Sequence, residues 1–262
     1  MNFKSILIIL TLLLPVLGAA GAAAAPATNA YGYVVTLPAF PGARTFTGNS
    51  LLLVDDQMSG ALPIGFDFVF YGETYNTVYV SSNGFLDFDG GNHGCCDGRQ
   101  IPVDDNFNNI IAGNWTDLNP SIGGGIFYDT LGAPGSREFI VAFRDVPTSN
   151  GFNLVTFDMV LHEGTNDIEL VITSGAGNVD LSFVFPLPSN SLTVGIENAD
   201  GTQGLQSVHG GGIIVTNLAI LYSAPEIPEP APDKIAEPAT MGLFGLALLG
   251  LGAARRRMKR VA

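Results

Sequence analysis

The chain is expected to fold as an all-β protein, an antiparallel two-sheet sandwich or flattened barrel, and three observations carry that expectation. Much of residues 62–88 alternates apolar and polar side chains with the period of two that belongs to half-buried strands. Ten or so short segments of strand composition follow one another, separated by turn-forming residues in a chain that holds Gly 33 and Pro 16. No stretch of residues 31–222 sustains apolar spacing of three and four, so helices there should be few. Helices are expected only at the two ends, a signal helix first and a transmembrane helix last.

The N-terminal end opens with Met1-Asn2-Phe3-Lys4, a short basic region, followed by an apolar run over 6–17 and small residues over 18–25. That order is the layout of a secretory signal peptide, residues 1–25, removed by signal peptidase near residues 23–25. The apolar run is short for a membrane span.

Residues 26–223 are expected to form one all-β extracellular domain, about 200 residues and long enough to bury a core without metals or many disulfides. Over 31–56 the pattern is weak, interrupted by Pro38 and Pro41, with a strand expected at 50–54. In Phe66-Asp67-Phe68-Val69-Phe70 every second residue is Phe, which places three rings on one face of a strand, most simply in the core. Residues 78–88 read as a hairpin: Val78 and Val80 alternate with polar neighbours, Asn83-Gly84 supplies a two-residue turn, and Phe85 and Phe88 lie on the return strand. Further strands are expected at 110–115, 125–130, 138–144, 153–162, 168–173, 181–185, 192–197 and 213–222. The loop 163–167 makes 154–173 a second hairpin.

The formal net charge is -13, but the basic residues cluster at the ends. Residues 26–237 hold five basic side chains against 24 acidic ones, a local balance of -19. Such a surface repels nucleic acid and other polyanions, so a nucleic-acid partner is not expected.

After residue 223 the composition changes. Residues 224–236, with Pro225, Pro228, Pro230 and Pro232 among alternating acids, read as an extended linker. Residues 237–262 begin Glu237-Pro238-Ala239-Thr240, continue as an almost wholly apolar run over 241–254, and close on Arg255, Arg256, Arg257, Lys259 and Arg260. An apolar segment followed by a basic cluster reads as a membrane helix whose basic tail stays on the cytoplasmic side. Fourteen apolar residues fall short of the roughly 20 that a full span wants, and residues 236–240 can extend them.

Two resemblances follow from these residues. Leu62-Pro63-Ile64-Gly65-Phe66-Asp67-Phe68, Tyr71-Gly72, the 78–88 hairpin with its Ser82-Asn83-Gly84, and Ala112-Gly113-Asn114-Trp115-Thr116-Asp117 resemble, in that order, the nidogen-like extracellular module. The likeness runs over about 62–197 and implies an extracellular β-sandwich used in adhesion or matrix contact. Thr116 stands where a second acid is common in that pattern. The C-terminal segment resembles the PEP-CTERM sorting signal of Gram-negative bacteria, which an exosortase recognises. Ala236 replaces the usual first Pro, and a complete Pro228-Glu229-Pro230 lies further upstream. The resemblance implies recognition at Glu237, Pro238, Ala239 and Thr240, with Arg255, Arg256, Arg257, Lys259 and Arg260 as the stop-transfer tail.

Residues with potential chemistry are few. In an oxidising compartment two cysteines normally pair, but Cys95 and Cys96 are adjacent, with Cα atoms ~3.8 Å apart, below the usual disulfide range. A strained vicinal disulfide, free or intermolecular thiols, and a metal site completed by His93 remain open. Asp55-Asp56 and Asp104-Asp105 are adjacent acids; in a strand their side chains would point to opposite faces, so neither pair makes a glycosidase couple by itself. Calcium is the cofactor to consider, through oxygen ligands at Asp104-Asp105-Asn106 or over 198–202, although neither follows an EF-hand spacing. His93, His162 and His209 are scattered, and Ser81-Ser82-Asn83-Gly84 lacks a nucleophile elbow. Trp115 could stack on a sugar ring, but a lone Trp among strand residues is more often core.

The expected protein is therefore a non-catalytic cell-surface or matrix protein, transiently held at the inner membrane and processed by signal peptidase and exosortase. Exopolysaccharide is its expected partner. A calcium-dependent carbohydrate-binding module or adhesin is the alternative.

Overall fold

The computed structural model describes residues 27–226, except 43, 47, 91–94, 152, 177–190 and 212–213. The expected signal helix, the transmembrane segment with its sorting residues and basic tail, and the strand at 181–185 all lie outside the described residues. Among the described residues no helix is long and apolar enough to cross a membrane. The chain divides into two units, Met1–Pro225 and Glu226–Ala262, and every strand belongs to the first.

Among the described residues there are fourteen strands and no α-helix; the one helical turn is a 3-10 turn, Pro120–Ile122. The strands are β1 (Ala27–Thr28), β2 (Val34–Thr36), β3 (Asn49–Leu51), β4 (Leu62–Phe70), β5 (Glu73–Val80), β6 (Phe85–Asp87) and β7 (Ile110–Trp115). They continue with β8 (Gly125–Leu131), β9 (Glu138–Pro147), β10 (Leu154–His162), β11 (Ile168–Ala176), β12 (Ser191–Glu197), β13 (Gly204–Gly211) and β14 (Ile214–Ser223). An eight-stranded sheet runs β1-β2-β14-β11-β10-β9-β8-β3, and a six-stranded sheet runs β13-β12-β7-β6-β5-β4. All pairings are antiparallel. Two separate sheets make this a sandwich rather than a flattened barrel.

The alternation of β4 does what its sequence predicts. Its even-numbered residues turn inward, and Phe66, Phe68 and Phe70 are 7%, 0% and 1% exposed in the inter-sheet core. Burying each such ring contributes about 1.5–3 kcal/mol. The 154–173 hairpin also forms as expected, with Leu161 opposite Ile168 and Gly164 and Asn166 at positive φ in the connection.

The hairpin over 78–88 forms, but its turn differs from the expected two-residue Asn83-Gly84 type. Val80 pairs with Leu86, Ser81 N–H donates to Phe85 O, and Gly84 N–H donates to Ser81 O. Three residues therefore close the loop, and of them only Gly84 takes positive φ (84°). The physical reason lies in Asn83, which is fully buried and spends its amide on tertiary partners. Its Nδ2 donates to Asp56 Oδ1 at 2.9 Å, and its Oδ1 accepts Leu118 N–H at 2.8 Å.

Strands β6 and β7 are buried on both faces, which a two-layer sandwich with one solvated side does not require. Leu86 and Ile111 enter the inter-sheet core, whereas Phe85, Ile110, Ala112 and Trp115 form a second cluster with Ile101 and Phe107. Residues 99–107, between β6 and β7, thus lie across the outer face of the sheet. Ile101 N–H donates to Gln206 Oε1 at 2.9 Å, and Thr193 Oγ1 donates to Arg99 O at 2.7 Å, tying that segment to β13 and β12. β13 escapes a reading by pattern because Gly204, Gly210 and Gly211 dilute its alternation. Gly204 is needed for close approach, since a Cβ there would lie 2.5 Å from Ile101 Cγ2.

Candidate functional site

Polar chemistry gathers at the two ends of the six-stranded sheet. At the hairpin end, Asp55 and Asp56 occupy a turn, with Asp56 at φ 50°, so strand alternation does not separate them. This corrects the expectation of opposite faces: the carboxylates of Asp55, Asp56 and Asp117 lie within 4.8 Å of one another. The segments are fixed by short bonds. Gln57 N–H donates to Ser82 Oγ at 2.9 Å, Asn119 Nδ2 to Asp55 Oδ2 at 2.8 Å, and Asp55 N–H to Ser121 Oγ at 3.1 Å. Burial raises the Asp55 pKa, with Asp56 and Asp117 adding repulsion. Asp97 is raised too, by burial and then by Asp117.

The sulfurs of Cys95 and Cys96 are joined across a cis peptide, beside this group, with Cys96 Sγ 3.7 Å from Asp56 Oδ2. Bonded sulfurs are not thiolates, so they add no metal ligand to the carboxylates. Three carboxylate groups suit a hard divalent cation such as calcium in ligand type. Asp55 and Asp56 are exposed and already accept amide donors from the protein.

The two stretches considered for calcium, Asp104-Asp105-Asn106 and residues 198–202, meet at the opposite end. A Cβ on Gly201 would lie 2.5 Å from the Asp104 Cα, and Asn109 N–H donates to Asn198 O at 2.9 Å. Their side chains mostly close turns. Asp105 pairs with Arg99 at 2.8 Å and accepts Phe107 N–H at 2.7 Å; Asp200 Oδ1 accepts Thr202 N–H and its hydroxyl. Among the described residues, the clustered carboxylates are those of Asp55, Asp56 and Asp117 instead.

Glu197 is the residue at this end that sequence reading misses. Its position as the last residue of an apolar strand was visible, but its burial was not. It is 2% exposed and accepts Val103 N–H at 2.5 Å. Burial pushes its pKa up to about 7 from 4.5, Val103 N–H opposes this, and Asp105 and Asp104 reinforce it. The folded state therefore holds this proton more tightly than the unfolded state. Stability from this group is fully present below the unfolded pKa of 4.5 and is lost as pH rises through about 7. Glu197→Gln keeps the acceptor and removes the charge. It should raise stability at pH 8 by roughly 1–2 kcal/mol, after allowance for solvent screening, and flatten the fall between pH 5 and 7. Thermal melts across that range check it; parallel curves for the two proteins would reject it.

The remaining sequence-selected residues are dispersed. Trp115 is 1% exposed, with ring centroids of Phe85 and Phe107 at 5.2 and 5.1 Å, so it is core and not a sugar platform. His162 lies 3.5 Å from Glu138 and 3.6 Å from Glu169 on the other sheet, and His209 Nδ1 lies 2.8 Å from Thr193 Oγ1. His93, Glu237, Pro238, Ala239, Thr240, Arg255, Arg256, Arg257, Lys259 and Arg260 lie outside the described residues.

The described residues form a two-sheet antiparallel β-sandwich whose polar residues collect in loops at both ends. Residues 27–218, most of the chain, match the model of the NIDO-related family, and the chain belongs to that family. Residues 237–257 match the PEP-CTERM protein-sorting motif. That motif marks an exported, cell-surface-directed protein and implies processing by an exosortase. Neither a curated protein nor a solved structure shows significant similarity to the chain.

Proposed function

We propose that the protein is a non-catalytic surface or extracellular-matrix component of a Gram-negative bacterium, associated with exopolysaccharide in a biofilm. Signal peptidase removes residues 1–25, the segment 237–262 moors the chain briefly in the inner membrane, and exosortase cleavage near Glu237–Thr240 releases it. The observation that carries this reading is the pairing of a sorting motif at 237–257 with a NIDO-related sandwich at 27–218. The balance of -19 over residues 26–237 supports a soluble, self-repelling body outside the cell.

Mass spectrometry of the mature exported protein tests the route. A C-terminal peptide ending before Met241 is the expected result; an intact Arg255–Ala262 tail on exported chains would overturn it.

A calcium-dependent carbohydrate-binding module or adhesin is the second reading, favoured by the three carboxylates of Asp55, Asp56 and Asp117. Titration calorimetry with calcium, before and after Asp117→Asn, decides it. Equal heats from both proteins would remove that reading.

A further inference from the structure

At the end of β5 away from the Ser82-Asn83-Gly84 loop, three chain segments enclose a half-open cleft of roughly 200 Å³. Tyr71, at φ 48° in the β4–β5 turn, presents one aromatic wall, and Tyr75 on β5 presents a second. Phe70, 1% exposed, closes the floor, and Asn109 and Asp200 come from the loops before β7 and after β12. We infer that this cleft binds one uncharged or amine-bearing pyranose ring of a polysaccharide chain and rejects acidic sugars. The inference rests on the exopolysaccharide reading and specifies its site and its ligand chemistry.

Size is the first reason. Sites for drug-sized ligands run to about 300–1,000 Å³, so this one suits a single ring of a polymer that continues into solvent through the open side.

Chemistry is the second. Pyranose rings carry apolar C–H faces and a rim of hydroxyls, and they are held by aromatic faces together with a few placed polar groups. The tyrosine rings are braced: Tyr71 lies 4.8 Å from Phe70 at a T-shaped 76°, and Tyr75 lies 4.7 Å from Phe88. Tyr75 OH accepts Asn109 Nδ2 at 3.0 Å, and Tyr71 OH accepts Asn29 Nδ2 at 2.8 Å. With its acceptor position used by Asn109, itself a lining residue, the Tyr75 phenol can direct its proton toward a ligand oxygen, while Tyr71, whose hydroxyl is held by Asn29 outside the lining, contributes its ring. Asn109 is itself fixed, 1% exposed, by a second bond from its Nδ2 to Asp89 Oδ1 at 2.7 Å. These groups are positioned before any ligand arrives, which reduces the ordering cost of binding.

Charge is the third reason. Glu73 and Asp200 are exposed acids on the lining, Asp89 stands behind Asn109, and among the described residues no cationic side chain lines the cleft. Carboxylates accept hydrogen bonds from sugar hydroxyls and pair with an ammonium, whereas a uronate or sulfate brought here meets like charge.

The test is titration of the full exported chain with three soluble polymers: dextran as neutral probe, chitosan oligomers as amine-bearing probe, and alginate as uronate probe. Binding to dextran or chitosan and none to alginate is expected, unchanged by a calcium chelator. Tyr75→Ala should weaken binding roughly tenfold or more. Because Tyr75 also packs on Phe88, the exposed variants Glu73→Lys and Asp200→Ala are needed beside it. Glu73→Lys should retain the wild-type melting curve and lose chitosan, whereas Asp200→Ala, which also removes the acceptor of the Thr202 N–H and hydroxyl, should melt slightly earlier and still bind more weakly. Wild-type affinity in all three variants, a preference for alginate, or no binding to any polymer would each overturn the assignment of this cleft. The export route would stand in all three cases, since it depends on the mature C-terminus. Binding that survives in all variants would also leave the exopolysaccharide association intact.

Discussion

Trp115→Ala is expected to destabilise the sandwich by about 3–5 kcal/mol, the range for deleting a large aromatic from a packed interior. The residue ends β7, is 1% exposed, and stands between Phe85 of the sheet and Phe107 of the covering segment. Its loss opens a cavity under a segment that is otherwise held to β12 and β13 by hydrogen bonds at Arg99, Ile101 and Val103. Of the six buried side chains in that cluster, only Ile101 and Phe107 come from the segment itself. Arg99 lies over the Phe107 ring at 4.1 Å, so a shift of Phe107 also disturbs the Arg99–Asp105 pair. Hydrogen exchange should therefore quicken first across residues 95–109 at denaturant concentrations where the inter-sheet core stays protected. A variant with wild-type stability and impaired glycan binding would show instead that the indole faces solvent and ligand.

Gly84→Ala should cost about 2–5 kcal/mol, from two effects that a control variant separates. The first is the backbone: φ of 84° is a conformation that an L side chain takes at a cost of roughly 1–2 kcal/mol. The second is space. A Cβ there would lie 2.3 Å from Asn114 O and 2.9 Å from its carbonyl carbon, both backbone atoms of β7. Nothing at that contact can rotate away. The Gly84 carbonyl also accepts Gly113 N–H and Asn114 N–H at 3.1 Å each, so any shift strains the start of the Asn114-Trp115-Thr116-Asp117 corner. Gly135→Ala is the control, with φ 91° and no atom within 4 Å of the added methyl. It should show the backbone cost alone. Urea unfolding midpoints measure both; equal shifts for the two variants would mean that the close approach to Asn114 carries no energy.

Much of this molecule is legible residue by residue. The phenylalanines of β4 and the β5–β6 and β10–β11 hairpins follow from period-two alternation and from the positions of Gly and Asn, and β7 from a short apolar run. These are local properties of the chain, fixed by how side chains alternate about an extended backbone. The acidic balance of the body and the sorting motif are legible for the same reason, since composition and short ordered motifs need no fold to be read. β13 is not legible. Its glycines weaken the pattern, and the strand is held by the ladder that β12 offers, with Gly204 admitting the close approach of Ile101.

The chemistry depended on contacts that span long stretches of sequence. Asp117 joins Asp55 and Asp56 only because the β6–β7 hydrogen bonds bring the end of β7 to the hairpin loop. Glu197 becomes a buried acid only because Val103 and its neighbours are laid over the end of β12. The aromatic cleft draws Tyr71 and Tyr75, Asn109 and Asp200 from three separate loops and strand ends. By itself the sequence determined the identity of most strands, the inward face of β4 and the export of the chain, all of which are set by short-range pattern. The tertiary structure alone decided which polar side chains share a site, because antiparallel register, and not proximity along the chain, places strand ends next to one another.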